Sequence, residues 1–385
     1  MSKKYPVYDK LIAHTDNWIF DTPDTNELRE MMHMKISEED AGFLETFPHF
    51  PSTLSELAPR FDMDEETLLR RMKPLLKDGL IYEVEGKSAT RYSLVDGLFA
   101  FGRMPGWLGR KTDWDRRFAP LMNLYYDEAF GPRFMAHPTK GLRAIPIGDT
   151  VKESSTILPY EDLLAYVENE EYHTVSTCAC RHNINMDASR PDCKHEEETC
   201  LHFGRLGKYI VKHGMGRKIE KEETLEILKR CAERGLVHAI SNTKEGMDTI
   251  CNCCSCCCIF LRPIKQLEGV PVQHHQRSNY RVEVNTESCI ACGLCAKRCP
   301  IDAIQLVEKE SPKPTEDGKK PKPKDLKEVY YNEEACIGCG VCAYKCPTQS
   351  LTMVRRDGVE DIPGNFFEAG MRMIAERGKD PSTMF

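Results

Sequence analysis

The chain has 385 residues, 19 of them cysteine, and a formal net charge of −7. A chain this long predicts two to four domains with a real apolar core, so disulfide staples are not required. The acidic balance excludes a global basic field for nucleic acid, and the absence of any run of 18 apolar residues predicts no transmembrane span. The opening MSKKYPVYDK lacks the apolar stretch of a signal peptide, which leads us to expect a cytoplasmic protein. In a reducing compartment so many cysteines argue for metal ligands over disulfides, and oxidisable cluster thiolates favour an anaerobic host.

Residues 1–35 read as an irregular extension with Trp18, Phe20 and Pro23. Residues 36–110 predict a winged-helix-like domain. Residues 38–46 are helical in character, and Thr53-Leu54-Ser55-Glu56 is a capping box. Asp62 with Glu65 is expected to open the next helix, which Gly79 closes, with Leu68, Leu69, Met72, Leu75 and Leu76 on one face. Residues 80–84 and 91–94 then read as a hairpin around Gly86. Three helices and a hairpin look like a winged helix-turn-helix. Its would-be recognition helix starts with Asp62, Asp64, Glu65 and Glu66, which phosphates would repel. Arg70, Arg71, Lys73 and Lys77 lie beyond, with Pro74 expected to kink the helix among them. A docking or structural role is therefore favoured over DNA binding.

Residues 111–275 are expected to form a cysteine-rich central α+β domain. The aromatics of residues 96–150, Trp107 and Tyr125-Tyr126 among them, read as packing and linking groups. Pro159 opens a helix with Leu163, Leu164 and Val167 on its apolar face. Thr174-Val175-Ser176 is strand-like, and residues 219–235 form a helix with Leu225, Leu228 and the core thiol Cys231 on one side. Ten further cysteines flank that helix: Cys178, Cys180, Cys193 and Cys200 before it, and Cys251, Cys253, Cys254, Cys256, Cys257 and Cys258 after it. Six cysteines in eight residues have no ordinary packing role. The expectation is one or two additional iron–sulfur clusters. Neighbours such as Cys253 and Cys254 point apart in extended chain, so the six do not all serve one cluster. One division gives Cys178, Cys180, Cys193 and Cys200 a site of their own and four of the six another; mixed ligation is equally compatible. Structural zinc on the first four, or a thiol–disulfide couple, are the competing readings. Arg181 is a candidate donor to cluster sulfurs; His182, His195 and His202 could be ligands, but an isolated histidine is more often a solvated or core residue.

Residues 276–356 carry the sharpest signal. Cys289-x2-Cys292-x2-Cys295-x3-Cys299-Pro300 recurs as Cys336-x2-Cys339-x2-Cys342-x3-Cys346-Pro347, offset by 47 residues (289 to 336). CIACGLCAKRCPIDAIQLV aligns with CIGCGVCAYKCPTQSLTMV without a gap, so each half reads strand, loop, short helix, strand. Zinc ribbons use separated cysteine pairs and not this spacing. Gly293 and Gly340 admit close backbone approach. The segment resembles the bacterial two-[4Fe–4S] ferredoxin, in which the fourth cysteine of each run serves the other cluster. The resemblance implies Cys289, Cys292, Cys295 and Cys346 on one [4Fe–4S] cluster, and Cys336, Cys339, Cys342 and Cys299 on the second. Between the halves, residues 309–328 hold seven Lys, five acidic residues and four Pro, an expected extended, solvated loop. Residues 357–385 form a tail with an amphipathic stretch carrying Phe366, Phe367, Met371 and Ile374.

The order of winged helix, CACR, ICNCCSCCC and dicluster ferredoxin is similar to multidomain ferredoxin-type proteins of anaerobic prokaryotes. That likeness implies electron transfer and names no substrate. No dinucleotide fingerprint or P-loop occurs. The expected function is therefore an electron carrier or oxidoreductase subunit serving redox partner proteins or a larger oxidoreductase complex. A redox-sensing regulator and an oxidoreductase acting at the central cysteines are the alternatives. Lys297, Arg298 and Lys345 lie beside the clusters, where they could dock an acidic partner or offset cluster charge.

Overall fold

The computed structural model describes residues 4–152, 157–266, 277–311, 320–358 and 360–381. The chain divides into two compact units, each discontinuous in sequence: Met1–Thr139 with Glu170–Glu220 and Gly364–Phe385, and Lys140–Asn169 with Lys221–Pro363.

In the first unit, local capping decides where helices begin. Ser37 caps Glu38–Leu44, and the Thr53/Glu56 capping box opens Leu54–Leu57. Asp64, not Asp62, caps Glu65–Lys77, its carboxylate accepting from the Thr67 N–H at 2.9 Å. Asp62 instead adopts a left-handed conformation (φ 51°) that ends the preceding Pro59–Phe61 turn. Leu68, Met72, Leu75 and Leu76 are buried and Leu69 is half-buried, while the helix continues past Pro74. The hairpin pairs Ile81–Glu85 with Thr90–Leu94. The Tyr209 hydroxyl, on helix Gly204–Lys212, lies 3.1 Å from the carbonyls of both Leu76 and Ile81 and ties the hairpin to the rest of the unit.

Three stretches depart from expectation. Residues 1–35, read as an irregular extension, hold the helices Asp9–Asp16 and Asn26–Lys35, the second capped by the Thr25 hydroxyl accepting from the Leu28 N–H. The stretch read as packing and linking contains a regular helix, Asp113–Tyr125, opened by a Thr112/Asp115 capping box. Trp107, Tyr125 and Tyr126 are buried as expected. The tail helix Phe366–Glu376 buries Ala369, Gly370, Met373 and Ile374 and leaves Phe366 and Phe367 in solvent. The buried face packs Ile374 against Trp18 with Met371 beside them, and Gly370 comes close to Ile19, where an added Cβ would stand 3.2 Å from Cδ1.

A stacked ring cluster in this unit gives it a pH dependence. His49 is 2% exposed and lies between Trp18 (4.7 Å) and His14 (4.4 Å). Its Nε2 donates to the His14 carbonyl at 3.0 Å. Burial, then the neighbouring His14 and Lys379, push its pKa down to about 3. The unfolded chain takes up this proton below its ordinary value of about 6.5, while the folded chain resists until about pH 3. Stability is therefore expected to fall by roughly 3–5 kcal/mol as pH drops through that window. His49→Phe should flatten the acid limb in a denaturation series followed by Trp18 fluorescence.

Three antiparallel strands complete the first unit. His173–Thr177 lies between Glu198–Phe203 and Arg217–Ile219. Cys178 follows the first of these strands and is the N-terminal flank of helix Ala179–Met186, while Cys200 lies within the second, opposite Ser176.

In the second unit, Leu142–Ala144, Val237–Ser241 and Thr249–Cys253 form a three-stranded antiparallel arrangement beside helix Lys221–Glu233. This helix starts after Ile219, which belongs to the strand Arg217–Ile219; it buries Ile227, Leu228 and Cys231, with Leu225 half-buried. Leu163–Asn169 follows a separate turn at Pro159–Glu161 and buries Val167, whereas Leu164 is exposed.

The repeat of residues 276–356 folds as two matching halves. Tyr280–Val284, Leu294–Arg298 and Ile304–Glu308 form the first, and Lys327–Tyr331, Val341–Tyr344 and Leu351–Arg355 the second. The first strand of each half pairs antiparallel with the last strand of the other. Left-handed residues recur at the 47-residue offset: Ala291 and Gly338, Gly293 and Gly340, Asp302 and Gln349. A non-glycine residue such as Ala291 in this conformation is strained, and both loops must adopt it to wrap the same shape. Residues 312–319 of the interposed lysine-rich segment lie outside the described residues. Its described end is ordered as Pro323–Leu326 and the strand Lys327–Tyr331.

Candidate metal centres

Strand exchange between the two ferredoxin-like halves carries the fourth cysteine of each run across to the other half. One recess, with about 290 Å³ of atom-free space, is lined by Cys289, Cys292, Cys295 and Cys346 with Ile290, Leu294, Val329 and Leu351. The other, about 310 Å³, is lined by Cys299, Cys336, Cys339 and Cys342 with Val282, Ile301, Ile304 and Ile337. Each therefore gathers four soft thiols inside an apolar shell, a donor set and lining suited to a cubane cluster. Backbone N–H groups already point at sulfur at equivalent places: Ala291 to Cys289 and Gly338 to Cys336, both at 3.4 Å. Such donors stabilise negative charge on sulfur and raise a cluster's potential.

The two recesses differ in exposure. Cys336, Cys339 and Cys342 are buried, whereas Cys292 is exposed beside Ile290, itself 43% exposed. Burial pushes the Cys339, Cys342 and Cys299 thiols up, and Cys295 to about 11. Cys346 goes the other way: burial raises it, but the Ser350 hydroxyl and the Thr348 and Ser350 N–H groups outweigh burial. Arg298 does not face solvent as a docking cation. It donates to the carbonyls of Val341, Glu233 and Ala232 at 3.1, 3.0 and 2.9 Å. Lys345 pairs with Glu233 at 3.9 Å, and Lys297 stays exposed.

Within the first unit, Cys178 and Cys180 hydrogen-bond through sulfur, with Cys200 close enough to act on them electrostatically. The Cys180 contact, then burial, push Cys178 well above the ordinary thiol range, and the Arg181 charge opposes both. Cys193 lies on the loop after the helix, its N–H bound by Asn185 Oδ1 at 2.7 Å. Arg103 donates directly to sulfur, its Nη1 3.3 Å from Cys180 Sγ. Arg181 Nη1 is directed to the Glu196 carbonyl and the Thr199 hydroxyl, both at 2.6 Å. Arg103 was missed in the sequence because it is 77 residues away from Cys180, at the end of the π-helical segment Leu98–Arg103. His202 is satisfied in the core by Ser176 at 2.8 Å.

Within the second unit, Cys253 hydrogen-bonds to Cys251 and Cys258; those contacts, then burial, push it well up. Cys254, Cys256 and Cys257 form a separate set, with Sγ atoms all within 4.8 Å of one another.

A family model described as a 4Fe-4S dicluster domain matches residues 288–350. No curated protein and no solved structure matches the chain. The chain thus carries a ferredoxin-type dicluster domain within a mixed α/β fold, and no helix among the described residues is long and apolar enough to cross a membrane.

Proposed function

We propose that the chain is an iron–sulfur electron-transfer protein or oxidoreductase subunit. The observation that carries this reading is the pair of four-thiol recesses inside the matched dicluster domain. Cys289, Cys292, Cys295 and Cys346 would hold one [4Fe–4S] cluster, and Cys336, Cys339, Cys342 and Cys299 the other. When bound, these clusters supply one-electron redox chemistry. The chain's own residues exclude water with the Val282, Ile301 and Ile337 shell and direct N–H groups at sulfur. The exposed edge at Cys292 and Ile290 is where a redox partner protein would exchange electrons, and the buried recess would face the interior of its unit. Cys178, Cys180 and Cys200, and Cys251, Cys253 and Cys258, are the candidate ligands of further clusters. Nineteen cysteines, none of them in a disulfide, suit a reducing, oxygen-poor setting.

The helices Glu38–Leu44, Leu54–Leu57 and Glu65–Lys77 with their hairpin would serve as a winged-helix-like docking element. Asp64, Glu65 and Glu66 are exposed on the first turn that a DNA reader would present to phosphate, which weighs against a regulator.

Anaerobic purification followed by iron, sulfide and zinc analysis and EPR tests the proposal. About 8 irons per chain with reversible one-electron reduction is the expected minimum, and about 12 to 16 would place clusters on the central cysteines. Fewer than about 4, or iron that cannot be reduced, would overturn the reading. Arg103→Leu is expected to weaken metal retention at Cys180 by about 10–100-fold, as loss of a ligand's hydrogen-bond partner does. Chelator competition should detect this with the dicluster EPR signals unchanged.

A further inference from the structure

The strand Thr249–Cys253 and the turn after it sort six cysteines into two sets. Along the strand, side chains alternate between faces. Cys251 and Cys253 stand opposite Ala239 and Val237, while Asn252 on the other face meets His238 at 2.7 Å. The chain then turns: the Cys258 N–H bonds the Cys254 carbonyl at 3.1 Å, and the Arg262 N–H bonds that of Cys258 at 2.8 Å. Cys258 returns to Cys253. The turn also folds Cys256 and Cys257 back onto Cys254, with 3.5 Å between the sulfurs of Cys256 and Cys257. Vicinal cysteines that would diverge in extended chain are thus held side by side.

The spacing separates two kinds of metal chemistry. A single tetrahedral ion with metal–sulfur bonds of about 2.3 Å sets its thiolates about 3.8 Å apart. In a cubane each thiolate binds a different iron and points outward from its own corner, so the sulfurs stand wider. The 3.5 Å pair, and a trio within 4.8 Å, fit the single ion. Among the described residues the ferredoxin cysteines form no such close set; they line recesses with about 290 and 310 Å³ of atom-free space. Cys254 and Cys257 are also 4% and 1% exposed, so holding them as thiolates requires a positive charge among them.

We propose that Cys254, Cys256 and Cys257 bind one divalent ion of the zinc class, a redox-silent clamp that fixes this turn beside Cys251, Cys253 and Cys258. No electron passes through it. The inference is independent of the electron-transfer reading, because its readout is zinc and not iron.

The test uses the full chain purified anaerobically. X-ray absorption at the zinc edge of the wild-type protein should show about one zinc per chain in sulfur-dominated coordination near 2.3 Å. Cys254→Ser, Cys256→Ser and Cys257→Ser should each lose that zinc and keep the dicluster EPR signals, whereas Cys231→Ser should keep both. Co2+ substitution should give the d–d and charge-transfer bands of a tetrahedral thiolate site. Serine variants at Cys251, Cys253 and Cys258 would then test each of these as the fourth donor. Wild-type protein without sulfur-bound zinc overturns the proposal whether or not any variant folds. So do trio variants that lose a cluster's worth of iron and sulfide in place of zinc.

Discussion

Replacing Cys299 with serine is expected to remove about four irons per chain and to leave the cluster of its own run in place. Cys299 ends the first run but lines the recess of Cys336, Cys339 and Cys342. The exchange is built into the pairing. Ile304–Glu308, which follows Cys299, pairs with Lys327–Tyr331, which leads into the second loop. A serine alkoxide is a poorer ligand for iron than a thiolate. Cys299→Ser should therefore match Cys339→Ser in its residual EPR spectrum and potential, while Cys346→Ser should match Cys292→Ser. In either class the magnetic interaction between two reduced clusters should vanish. A Cys299→Ser spectrum that matches Cys292→Ser would sink the crossed assignment.

The ease of reading this chain varied with how local each constraint is. The eight ferredoxin cysteines announce themselves because the loop that wraps a cluster is contiguous, and its left-handed residues repeat at the same offset. The Thr53/Glu56 capping box is equally local and forms as expected. The capping box at Thr112 carries the same kind of signal, within a stretch otherwise rich in prolines and aromatics. Asp62 and Asp64 are two caps at nearly the same place, and only the turn before them decides between the two. Phe366 and Phe367 show the limit of apolar pattern as a guide: the tail helix buries the face carrying Ala369, Gly370, Met373 and Ile374 and leaves both phenylalanines exposed. Arg103 had no local signal at all. Its partner Cys180 is brought to it by folding, and the adjacent Arg181 was the cation that proximity in sequence suggested. The six cysteines of residues 251–258 were visible as an anomaly, but their division depends on where the strand Thr249–Cys253 ends and a turn begins.

Arg298→Gln is expected to lower the midpoint potential of the buried cluster by an amount on the order of tens of millivolts, and to leave the exposed cluster unshifted. Burial depresses the guanidinium's own pKa first, and its electrostatic partners Cys342, Tyr344 and Cys339 pull it back, two of them sulfurs of the buried recess. Reduction adds an electron to the cluster they would hold, so a fixed positive charge favours the reduced form. Its three donated bonds also join helix Lys221–Glu233 to the cluster helix Val341–Tyr344, at the Glu233 carbonyl and at the Ala232 carbonyl, which also accepts from the Gly235 N–H. The planar fork reaches three carbonyls at once, which a lysine ammonium on a flexible stem cannot reproduce. Arg298→Lys should then separate the two roles: it keeps most of the potential but loses about 1–3 kcal/mol of stability, discounted for a side chain that is only partly buried. Arg298→Gln should lose both. EPR-monitored redox titration and denaturant melts of the reconstituted protein measure the two quantities side by side. If Gln and Lys shift the potential equally, the residue works by geometry and its charge is incidental. If both clusters move together, the guanidinium is not addressed to the buried one.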